Sequence, residues 1–131
     1  MKLVARWGKF NLVGAIGMAV QLTALDLLIR ILPGHYLAAT AGALELTLLH
    51  NFILHLHFTW RDRRATSPLL TQCLRFHSAN GLVSLAGNLA LMPVLYREAR
   101  LPLLLANAVA ILACSVANFL LGDRWAFALR A

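Results

Sequence analysis

The chain has 131 residues, 60% of them hydrophobic and 13% charged, with a mean hydropathy of +0.72. That much apolar surface exceeds what the small core of a soluble domain of this length could hide, which leaves the bilayer as the solvent. The formal charge of +7 lies in basic residues flanking apolar runs, and no nucleic-acid-binding motif accompanies it, which excludes nucleic acid as the partner.

Four apolar stretches approach the roughly 20 residues that a spanning helix requires. They cover residues 10–31, 36–58, 77–96 and 103–121. The first follows Lys2, Arg6 and Lys9, as a secretory leader would, but its length and its place in an internal repeat make it a mature helix. Pro33-Gly34 closes the first pair of segments, and Pro102 is placed to start the fourth. Residues 61–72, with Ser67-Pro68, form the linker, which has room for a short interfacial helix. Cys73 and Cys114 are expected at different depths, without metal-ligand spacing, so neither a disulfide nor a metal site follows from them.

Shifted by 67 residues without a gap, the chain aligns with itself. Asn51-Phe52 falls on Asn118-Phe119, Gly14 on Gly81, Gln21 on Asn88, Arg30 on Arg97 and Trp60 on Phe127. The expected fold is therefore an all-α membrane protein, with four transmembrane helices as two parallel-repeated helical hairpins. It is one transmembrane domain with internal repeats 8–60 and 75–127. Lys2, Arg6 and Lys9, the central Arg61, Arg63, Arg64 and Arg75, and the late Arg124 and Arg130 mark one membrane face, against Arg30, Arg97 and Arg100 on the other. The positive-inside rule then puts both termini and the linker in the cytoplasm. Trp7, Trp60 and Trp125 fall at the same boundary and read as an aromatic belt.

Polar residues within the spans form stripes. Gly14, Gly17 and Gln21 in the first segment, and Gly81, Ser84 and Asn88 in the third, share a helix face that is expected to point inward, where helix packing alone accounts for it. Thr47, Asn51 and His55 form a stripe in the second segment, and Asn107, Cys114 and Asn118 in the fourth. Segments two and four close on Asn-Phe, followed six positions after the Asn by His57 or Arg124 and then by aromatics.

In these Asn-Phe motifs, the Phe10–Gly14 opening, Asp26, and the Arg75-Phe76 opening of the third segment, the chain resembles the GtrA family of small four-helix membrane proteins. The resemblance covers nearly the whole chain. It implies cell-surface polysaccharide synthesis, translocation of a polyprenyl-phosphate-linked sugar across the cytoplasmic (inner) membrane, and a membrane glycosyltransferase as partner. His57 departs from the Arg or Lys usual at the first motif, and its charge depends on its surroundings.

The repeat also exposes an asymmetry. Asp26 aligns with Pro93, Glu45 with Leu112, His50 with Ala117 and His55 with Gly122, so ionisable groups at membrane depth belong to the first copy. An acid there costs roughly 2.5–3.5 kcal/mol on insertion scales. Asp26 has Arg30 four residues on as a ready partner. Glu45 is either a protonated packing residue or a ligand- or proton-coupling group. Pro93 should kink the third segment and free a carbonyl.

The candidate ligand-binding set is Gln21, Asp26, Glu45, Asn51, Asn88 and Asn118 along a polar path, with Arg61, Arg63, Arg64, Arg75 and Arg124 as phosphate receptors. No nucleophile with a base and orienter, phosphate-cradling loop or metal cluster is present in the pattern, so no enzymatic activity and no cofactor are expected. Three functions fit: flipping of a polyprenyl-phosphate-linked sugar or polyprenyl phosphate; small multidrug-resistance-like, proton-coupled transport; or non-transporting anchorage of a glycosyltransferase. Either transporter would need a homodimer to enclose a path.

Overall fold

In a bilayer the backbone must satisfy its own hydrogen bonds, and long Leu- and Ala-rich runs do this as helices. The computed structural model describes residues 2–129, with only the backbone described at Tyr36, Leu37, Leu85, Asn88, Met92, Leu103, Leu104, Asn107 and Ala108. Four α-helices carry the chain: α1 (Leu3–Ile31), α2 (Tyr36–Leu54), α3 (Leu69–Met92) and α4 (Leu103–Leu121). Among the described residues three helices are long and apolar enough to cross a membrane, Leu3–Ile31, Leu69–Glu98 and Val109–Ala126.

Two helices begin earlier than hydropathy alone places them. α1 starts at Leu3, and α3 starts directly after Pro68. Hydropathy marks only the part that suits lipid, whereas helix formation continues through Arg6, Lys9 and Arg75 because nothing there breaks it. At 29 residues, α1 is about 43 Å long and outreaches a hydrocarbon core of about 30 Å. It stops at Pro33-Gly34, where Gly34 takes a φ of 80° that L residues rarely adopt.

The chain forms two compact units, Met1–Arg64 and Ala65–Ala131, each a helical hairpin. Helices α2 and α4 begin and end 67 residues apart, and each runs into a π-turn, His55–Thr59 and Gly122–Ala126. In each turn the closing N–H reaches five residues back, Trp60 to the His55 carbonyl at 2.8 Å and Phe127 to the Gly122 carbonyl at 2.9 Å.

The first helices of the two units follow a different register. Arg6, Phe10 and Val13 are buried in α1, and Gln72, Phe76 and Ala79 in α3, an offset of 66. The gap-free shift of 67 therefore does not describe the packed faces of α1 and α3. The additional residue is taken up by a π-turn at Pro93–Glu98, beyond which α2 and α4 again start 67 residues apart. Pro93 lacks the N–H that would continue α-helical bonding, so the expected kink takes this form.

This register corrects two expectations. Gly14 and Gly81 are exposed, with open space where a Cβ would go, and Ser84 is exposed too, so the stripe does not face inward as a whole. Of the stripe's three glycines Gly17 alone makes a close approach, against Asn51. Trp60 is 0% exposed and is core rather than belt, because the π-turn swings it under Phe10. The first unit's core also holds Val13, Ala39, Ala43 and Phe52; the second packs Phe76, Ala106, Ala110, Phe119 and Phe127. Leu12, Leu22, Leu89 and Leu112 are exposed, as suits side chains covered by lipid tails.

Candidate functional site

Each hairpin has an open end, opposite its tight turn, where the first helix starts and the π-turn closes the second. In the first unit the inward stripe of α1 begins with Arg6, whose Nη2 pairs with Asp62 Oδ2 at 3.0 Å. The Arg6 side chain is 6% exposed and that of Asp62 45%. Asp62 is delivered by the short 3₁₀ turn Arg61–Arg63. His55 stacks on Phe10 at 4.8 Å and meets Trp60 edge-on at 5.2 Å, while its Nδ1 and Thr59 Oγ1 share a hydrogen bond of 2.9 Å. Arg6, Asp62 and Thr59 were absent from the sequence-derived set. The spacing of Arg6, Phe10, Val13 and Gly17 at four, three and four residues was the available signal.

At the corresponding buried positions the second unit has apolar or neutral residues. Gln72 stands at the position of Arg6, Gly122 at that of His55, Ala126 at that of Thr59, and Phe127 at that of Trp60. Gln72 and Phe127 are 0% exposed, and Phe127 lies 6.2 Å from Phe76. One feature is common to both units. Lys9 Nζ donates to the Phe58 carbonyl at 3.5 Å, and Arg75 Nη1 donates to the Trp125 carbonyl at 3.5 Å.

Along the spans, Asn51 lies against Gly17 and its Oδ1 meets His50 Nδ1 at 3.2 Å. Gln21 is half-buried on α1. In the second unit Asn118 is buried, and its Oδ1 has no hydrogen-bond partner among the described residues. The side chains of Asn88 and Asn107 lie outside the described residues.

Asp26 and Arg30 form an exposed ion pair at 3.1 Å near the tight turn, about 30 Å along α1 from Arg6. The structure therefore does not gather Asp26 with the open-end cations of its own unit. Glu45 is exposed on the middle of α2, away from the buried stripe of Thr47 and His55. At the open ends Arg61, Arg64 and Arg124 are exposed, while Arg63 and Arg75 are half-buried. Those of the first unit sit together on or beside one 3₁₀ turn.

Apolar helices with outward-facing leucines and polar, cationic ends define a multi-pass helical membrane protein. The pattern of the GtrA/DPMS transmembrane domain matches residues 9–127, and the chain belongs to that family. Membership sets it among membrane proteins of glycosylation pathways. No curated protein matches the chain.

Proposed function

We propose that the protein is a non-enzymatic translocator that flips a polyprenyl-phosphate-linked sugar, or polyprenyl phosphate, across the cytoplasmic membrane. The observation carrying this reading is the concentration of cations at the open ends of two otherwise lipid-facing hairpins, in a chain of a glycosylation-linked membrane family. An amphiphile with an anionic head and a long hydrocarbon tail matches that distribution. In this reading all four helices span, the hairpins are related by an axis along the membrane normal, and both termini face the cytoplasm. Arg61, Arg63, Arg64, Arg75 and Arg124 receive the phosphate, the amide and acid side chains line the path of the polar head, and a homodimer encloses it. A membrane glycosyltransferase uses or supplies the lipid.

The test is reconstitution of purified protein in vesicles, following transbilayer movement of a polyprenyl-phosphate sugar. Movement well above that of protein-free vesicles is expected, and Arg124→Ala should slow it and weaken its salt dependence. Movement no faster than in protein-free vesicles, with a glycosyltransferase still recruited, would overturn translocation in favour of anchorage.

A further inference from the structure

A basic residue and a π-turn carbonyl meet in each unit through different side chains. Lys9 and Arg75 occupy equivalent places in the 66-residue register of α1 and α3, while Phe58 and Trp125 are equivalent in the 67-residue register of the π-turns. At a uniform shift of 67, Lys9 would fall on Phe76 and the correspondence vanishes. Both cations approach their carbonyls at 3.5 Å, and Lys9 Nζ also lies 4.7 Å above the centre of the Phe58 ring.

The last turn of a helix presents unpaired carbonyls and partial negative charge, which repels phosphate. A cation over that carbonyl reverses the local sign. An ammonium carries three donors and a guanidinium five, so one hydrogen bond to a carbonyl leaves donors for an oxyanion. Phe58 is 39% exposed and Trp125 43%, so each carbonyl that a cation reaches belongs to a residue with an open aromatic ring. Immediately before these aromatics stand His57 and Arg124, both exposed. A cation bordered by an exposed ring suits a phosphate esterified to a hydrocarbon chain, with the head on the cation and the first carbons on the ring.

We propose that each unit carries its own phosphate clip, Lys9 with Phe58 in the first and Arg75 with Trp125 in the second, giving two headgroup sites per chain. This rests on the reading that the ligand bears phosphate, and it does not require transport. A role limited to capping the helix ends would leave ligand binding untouched.

Titration of the detergent-solubilised full chain with farnesyl phosphate, a soluble isoprenoid monophosphate, tests the clips by calorimetry. Two equivalents should bind. Lys9→Met and Arg75→Met keep the length of the side chain without its charge, and each should leave one equivalent; the double variant should leave none. Lys9→Arg and Arg75→Lys should keep two, with circular dichroism confirming unchanged helicity throughout. Displacement by inorganic phosphate at similar concentration would assign the clips to phosphate itself, and displacement only by the isoprenoid phosphate would assign them to a lipid headgroup. Two equivalents retained by both Met variants, or a single equivalent in the starting protein, would overturn the proposal. If the Met variants bind normally while vesicle transport persists, the clips fail and translocation stands. If two equivalents bind and are lost in the Met variants while no transport is seen, the clips stand and translocation fails.

Discussion

The two hairpins solve the same packing problem with opposite chemistry. At its open end the first unit buries a guanidinium, an imidazole, a hydroxyl and an indole, whereas the second places an amide, a glycine, an alanine and a phenyl ring at the corresponding positions. Both nevertheless form the same π-turn, closed by the same five-residue hydrogen bond. The polar network of the first unit is therefore not what makes the turn. Backbone geometry and an aromatic residue under the turn suffice, and the buried arginine and histidine are additions particular to one copy, the other having Gln72 and Gly122 as their counterparts.

The aromatic plug should give the largest effect. Trp60→Ala removes a side chain that is 0% exposed, and thermal unfolding in detergent, followed by circular dichroism, should report a loss of about 3–5 kcal/mol. Trp60→Phe should cost less than about 1.5 kcal/mol, since Phe127 fills the same place in the second unit. Equal losses in the two variants would break the comparison and give the indole a role of its own.

The ion pair comes next. Asp62→Ala leaves the buried Arg6 without its carboxylate and should cost about 1–3 kcal/mol, the half-exposure of Asp62 keeping the value below that of a fully buried pair. Replacing both partners by their second-unit counterparts, Arg6→Gln with Asp62→Leu, should recover most of the loss in the same melt. No recovery would mean that the polar end of the first unit is required by its own fold.

The glycines come last, with effects of both signs. Gly17→Ala sets a methyl group against Asn51 and should destabilise by about 1–3 kcal/mol. Gly14→Ala and Gly81→Ala enter open space on exposed helix faces and should be neutral or stabilise by up to about 1 kcal/mol. A loss at Gly14 matching that at Gly17 would show that the exposed glycine face is covered by something outside the chain, such as a second copy.

Composition and hydropathy by themselves determined an all-helical membrane chain, its hairpin turns, the start of α2 and both ends of α4, because the cost of unpaired backbone in lipid leaves few alternatives. Proline likewise announced the break at Pro93, through the hydrogen bond it cannot make. The basic clusters were visible for the same reason, since charge stands out against apolar sequence. Which face of each helix turns inward was decided only by tertiary structure. In a lipid-facing helix both faces are apolar, so polarity does not mark the buried stripe, and close packing selects Phe10, Val13 and Gly17 over Gly14. The 66-residue register of α1 and α3, the burial of Trp60, the Arg6–Asp62 pair and the matched placement of Lys9 and Arg75 all follow from that selection. They depend on side-chain shape across two helices, which no linear spacing along one of them records.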